Sequence, residues 1–129
     1  MREILFRGIS EVTKEWVYGY LVKTQIKGKE YFTIVPYEDL MKTLIEKRWF
    51  QVIPETVGQY TGLTDKNGKK IFEGDIVRKP ELYMNAVGVI RYGGTHFRCS
   101  CKEYPDLGIW TLDEVIGNIH DNPELLKGE

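Results

Sequence analysis

Between Thr56 and Ile119, turn signals cut the chain into apolar runs too short to be helices. Asp65-Lys66-Asn67-Gly68, Gly74-Asp75 and Gly93-Gly94 carry residues that tolerate positive φ, and the stretches between them are rich in Val, Ile and aromatic rings. Strands are expected at 56–61, at 76–79 ending before Pro80, at 86–92 and 95–100 as a hairpin around Gly93-Gly94, and at 108–112 and 115–119. Asp121-Asn122-Pro123-Glu124 offers a cap and a proline for one terminal helical turn. Short strands at this spacing predict a small curled barrel over residues 55–120.

The first part of the chain reads differently. Leu5 to Arg7 and Trp16 to Lys23 are expected strands, Gln25 to Lys29 a turn, and Tyr31 to Val35 a returning strand that stops at Pro36, which lacks an amide donor. From Tyr37 to Lys47 the period changes: Leu40, Met41, Leu44 and Ile45 recur at helical spacing, and Glu38, Asp39, Lys42, Glu46 and Lys47 fill the other face. Trp49 to Ile53 is again strand-like. The expected class is therefore mainly β with an α+β portion over residues 1–54 and a barrel over 55–129. No polar or Ser/Gly linker separates them near Pro54, so the two are expected to pack as one unit.

Four ordered blocks carry a family resemblance: Phe6-Arg7-Gly8, Trp16-Val17-Tyr18-Gly19-Tyr20, the stretch from Pro54 to Val77 that includes Gly58-Gln59-Tyr60-Thr61-Gly62-Leu63-Thr64-Asp65 and Phe72-Glu73-Gly74-Asp75, and Val115 to Leu126. Together they span nearly the whole chain, and the chain resembles the YopX family of phage and prophage proteins. The resemblance implies a phage or prophage origin and an SH3-like barrel joined to an α+β N-terminal portion. It brings no biochemical activity with it.

Apolar residues make up 42% and charged residues 29%, the values of an ordinary folded domain. No window reaches the roughly 18 apolar residues of a membrane span, and the N-terminus lacks a signal-peptide apolar region, so the expected location is the bacterial host cytoplasm with no membrane partner. The net charge of -1 conceals an uneven distribution. Residues 1–53 sum to +2 (nine basic, seven acidic), residues 54–102 to +3 (eight basic, five acidic) and residues 103–129 to -6 (one basic, seven acidic). A basic middle beside an acidic end either meets a polyanion or pairs with itself in an oligomer.

The chemistry-bearing residues are few. Cys99 and Cys101 lie two apart on an expected strand and share a face. With His96 and His120 they offer two sulfurs and two nitrogens, but in no zinc-finger or zinc-ribbon spacing, so they are read as thiols packed like small hydrophobes, with no metal and no cofactor. Glu55, Asp65, Glu73 and Asp75 adjoin turn glycines or strand starts, where a carboxylate accepts backbone amides. Gly74-Asp75 is read as the structural turn that re-aims a strand. Trp16, Trp49 and Trp110 are read as core or interface anchors.

No nucleophile–base arrangement or phosphate-binding glycine loop is legible, so no catalytic residue is assigned and the chain reads as non-enzymatic. Lys69, Lys70, Arg78, Lys79, Arg91 and Arg98, interleaved with Phe72, Tyr83, Tyr92 and Phe97, form the one candidate nucleic-acid surface. The expected role is that of an accessory protein that self-assembles or docks a phage or host protein, with nucleic-acid binding as the alternative. Homo-oligomerisation is expected from the aromatic content, the open strand edges and the opposed charge of the last two segments.

Overall fold

Strand formation dominates the chain wherever aromatic and β-branched residues alternate, and seven strand-to-strand ladders among the described residues run antiparallel. The computed structural model describes residues 4–36, 45, 49–82 and 86–126. It divides into two units, Met1–Tyr60 and Thr61–Glu129. The expected helix over Tyr37 to Lys47 lies outside the described residues except for Ile45, which is helical and 74% exposed.

In the first unit, β1 (Phe6–Ile9), β2 (Trp16–Ile26), β3 (Lys29–Val35), β4 (Phe50–Gln51) and the start of β5 (Gly58–Thr64) follow the order β4-β3-β2-β1-β5. Ser10 ends β1 by accepting the Val12 and Thr13 amides on its Oγ. The turn between β2 and β3 is Lys27-Gly28, with φ of 51° and 79°, the doubly positive pattern of a type I′ hairpin turn. Because that turn is tight and matches strand twist, β2 runs three residues further than expected, to Ile26. Register places Leu21, Ile34 and Phe50 on one face, where Ile34 is fully buried. Thr56 closes the unit, accepting the Ile9 amide at 2.9 Å and donating to the Ile53 carbonyl at 2.6 Å.

In the second unit, β6 (Lys70–Phe72) follows the far end of β5, and β7 (Asp75–Lys79), β8 (Ala86–Gly93), β9 (His96–Cys101) and β10 (Glu114–Asn118) form a sheet in the order β10-β7-β8-β9. Ile71, Val77, Ile90, Cys99 and Cys101 make its core, with Ala86, Leu107, Ile109 and Val115 packed against them. The β8–β9 turn sits one residue later than expected: Gly93 pairs with His96, leaving Gly94-Thr95 as the loop. Only Gly94 takes positive φ, the type II′ pattern, so a single glycine suffices and Gly93 is free to join the ladder.

The expected strand over 108–112 is absent. That segment is irregular because its polar groups bond locally: the Trp110 amide donates to the Asp113 carboxylate, and the Asp113 amide to the Trp110 carbonyl. A short 3-10 turn, Pro123–Leu126, stands where the terminal helical turn was expected. Among the described residues, no helix is long and apolar enough to cross a membrane.

Candidate functional site

Alternation along β7 separates two basic neighbours that the sequence groups together. Arg78 is on one face with its guanidinium on Glu114, which also holds Lys66 at 3.6 Å. Burial resists ionisation of Glu114, but these two cations outweigh it and hold its carboxyl below the ordinary glutamate value. Lys79 turns the other way, onto the core face with Val77, and is fully buried. Its ammonium donates to Asp113 Oδ2 and to the Gly108 carbonyl, each at 2.7 Å, and lies 3.8 Å from the Trp110 ring centroid. Lys79 therefore belongs to no solvated basic face. A buried ammonium requires a counter-charge and acceptors, and the irregular loop before β10 supplies both.

The remaining candidate cations are dispersed. Arg91 and Arg98 stand directly opposite each other on β8 and β9, on the same face as Arg78. Arg98 donates to the Gly93 carbonyl at 2.6 Å and meets Asp106 at 3.5 Å. Lys69 and Lys70 are exposed beside the β5–β6 turn. The aromatic members fall elsewhere: Tyr92 and Phe97 pair edge to face at 4.8 Å on the opposite side of the β8–β9 ladder from the arginines, Phe72 is buried, and Tyr83 lies outside the described residues. Among the described residues, cations and rings thus do not interleave on one strand face.

The acids act on backbone. Asp65 is buried and accepts the Asn67 and Lys69 amides on Oδ1 and the Val115 amide on Oδ2, pinning the β5–β6 turn to β10. Burial opposes its ionisation, yet those amides and the Lys69 charge hold the carboxyl below its ordinary value. Asp75 is buried and accepts the Phe72 amide at 2.7 Å, while Gly74, with φ of 93°, bonds Ile90 through its amide and Ile119 through its carbonyl. Glu55 is exposed and Glu73 half-buried.

Cys99 and Cys101 are both buried. Burial, reinforced by Cys101, pushes the Cys99 thiol up to about 12, far from the thiolate that nucleophilic or metal chemistry needs. Their sulfurs fill the space over Gly88, where a Cβ would come within 2.6 Å of one and 2.7 Å of the other. His96 projects from the other face of β9. Among the described residues, no group of three or more His, Cys, Asp or Glu is placed to hold a metal ion.

The first unit presents the surface that sequence reasoning missed. Tyr18, Tyr20, Val22 and Ile26 share one face of β2 and are 44%, 48%, 43% and 58% exposed. Nearer β1, Trp16 on the same face is half-buried with the Arg7 guanidinium 4.5 Å from its ring. Trp49 is 47% exposed. The signal lay in the sequence as a period of two that continues past Lys23, with apolar residues at 18, 20, 22 and 26.

Both units, from Leu5 onward, are covered by one family model. The YopX protein model matches residues 5–127. The chain belongs to the YopX family. Among solved structures, this YopX-family chain is similar to protein EF1440 from Enterococcus faecalis, known as a crystal structure, at 28% identity and a TM-score of 0.56, covering 98% of this chain and 100% of that one. No curated protein matches it.

Proposed function

We propose that this chain is a non-catalytic accessory protein, encoded by a phage or prophage and acting in the cytoplasm of the bacterial host, which docks a partner protein through the first unit. The observation that carries this reading is the row of exposed apolar side chains on one face of β2. Exposed apolar residues normally occur singly, whereas several along one strand face, here at 18, 20, 22 and, past Thr24, at 26, mark a contact surface. The state of the reactive groups supports the non-catalytic part: the Cys99 thiol is pushed up to about 12, Lys79 is neutralised by Asp113, and Asp65 and Asp75 are occupied by backbone amides.

In this reading the second unit is an SH3-like barrel serving as a scaffold, a view supported by five short antiparallel strands around one core. An α+β character for the N-terminal portion is part of the same reading, and what supports it is the helical spacing of Leu40, Met41, Leu44 and Ile45 in the sequence. Nucleic-acid binding is the second reading. The face shared by Arg78, Arg91 and Arg98 favours it, and the engagement of Arg78 by Glu114 and of Arg98 by Asp106 weakens it.

A photo-crosslinking amino acid placed at Val22 and, separately, at Arg91 tests the choice in host cells carrying the phage genes. A discrete protein adduct from position 22 that is missing from position 91 is expected. Nucleic-acid adducts at position 91 with none at position 22 would replace the docking reading with the second one.

A further inference from the structure

β2 outruns its neighbour on one side. β1 pairs with it only over Trp16–Gly19, while β3 continues to pair through Ile26. The backbone direction of the projecting part follows from one bond across β3. The Phe32 carbonyl accepts the Val52 amide, so Phe32 points its backbone toward the β4 side of β3. Lys23, its register partner, then points its own N–H and C=O away from β3, and by alternation Leu21 and Gln25 do the same. Among the described residues no strand pairs with Leu21, Lys23 or Gln25 on that edge.

We infer that this edge is a strand-addition site for an extended segment of a partner protein in which apolar and acidic residues alternate, a proposal that rests on the docking reading above and names its partner's chemistry. A strand entering here takes the N–H and C=O groups of Leu21, Lys23 and Gln25, and its side chains alternate between two unlike faces. On one it meets Tyr20, Val22, Thr24 and Ile26. On the other it meets Leu21, Gln25 and, at the centre, Lys23, whose ammonium lies 5.4 Å from the Phe32 ring. Lys27 and Lys29 add positive charge at the hairpin tip against the single acid Glu30. Charge therefore selects carboxylates on the Lys23 face and disfavours a second copy, which would bring the same lysines together.

The probes are two synthetic peptides of about eight residues, a length that matches the open edge. One alternates Val with Glu and the other Val with Lys, and a third, control peptide is the Glu form N-methylated at every other amide. The Glu peptide should bind the intact chain at least about tenfold more tightly than the Lys peptide at low salt and lose affinity as salt rises. Amide shifts should concentrate at Leu21, Lys23 and Gln25, and the N-methylated form should not bind. Lys23→Glu, on an exposed side chain, should reverse the preference.

Equal binding of both peptides, indifference to Lys23→Glu, or shifts centred on another strand would overturn the inference. So would a dimer mass at the same low salt with those amides protected, which would assign the edge to a second copy. If neither peptide binds while the Val22 crosslink still forms in cells, strand addition fails and the docking reading stands.

Discussion

A lysine with no exposed surface persists only where a carboxylate and further acceptors replace water, and Lys79 has Asp113, the Gly108 carbonyl and the Trp110 ring. Lys79→Met, which leaves the Asp113 carboxylate buried and unpaired, should cost about 3–5 kcal/mol in chemical denaturation. The double substitution Lys79→Met with Asp113→Asn should recover most of that loss, since no buried charge remains. A single substitution that costs nothing would mean the pair is open to water. Asp65 makes the pH dependence readable: its folded pKa lies below the ordinary 3.8, so its stabilising effect is complete above that value and lost as pH falls through the lower folded one. Wild type should therefore lose stability on acidification below about pH 4, and Asp65→Asn, less stable at neutral pH by about 2–4 kcal/mol, should show a shallower acid slope. Parity did not reveal this in the sequence, where Lys79 was grouped with Arg78 as a surface cation: Ile76 and Val77 make both parities of β7 apolar, and both are fully buried. The partner of Lys79 was not legible either, because Asp113 reaches it from a loop distant in sequence that has no period.

At the scale of elements, turn chemistry explains both what the sequence revealed and where it misled. Asp65 to Gly68 turn where Asn and Gly were expected to turn, the turn expected over Gln25 to Lys29 tightens to Lys27-Gly28, and the turn expected at Gly74-Asp75 falls one residue earlier, on Glu73 and the positive-φ Gly74, with Asp75 opening β7. The β8–β9 turn slipped because two adjacent glycines permit two registers, and pairing of Ile90 with Cys99 and Gly88 with Cys101 in the core selected the one with Gly94-Thr95 at the tip. Gly88→Ala should destabilise the second unit by about 1–3 kcal/mol, as the added methyl meets both sulfurs. Cys101→Ala in the same chain should relieve part of that loss; no relief would mean the strain arises instead at Cys99 Sγ, 2.6 Å away, or at the Ser100 carbonyl, 2.9 Å away. The exposed row on β2 showed in the sequence only as alternation, which does not say whether the second face of a strand is covered.

For the whole molecule, the opposed charges of residues 54–102 and 103–129 find a local explanation in the second unit. Arg78 and Lys66 meet Glu114, Lys79 meets Asp113, and Arg98 meets Asp106. Charge asymmetry therefore lends no support of its own to self-association, which now rests on the exposed rings and the open edge. Edge lysines oppose it at low salt, so sedimentation should give a mass near 15.0 kDa there, with any larger species increasing as salt screens Lys23, Lys27 and Lys29. Acidic-segment binding should move in the opposite direction. The claim on which strand addition turns is that the β2 edge, unpaired among the described residues at Leu21, Lys23 and Gln25, is open in the free chain, and residue-resolved hydrogen exchange at low salt reads it directly. The Leu21, Lys23 and Gln25 amides should exchange much faster than those of Val22 and Thr24, independently of protein concentration. Equal protection of all five would contradict the account, because the edge would then already be paired.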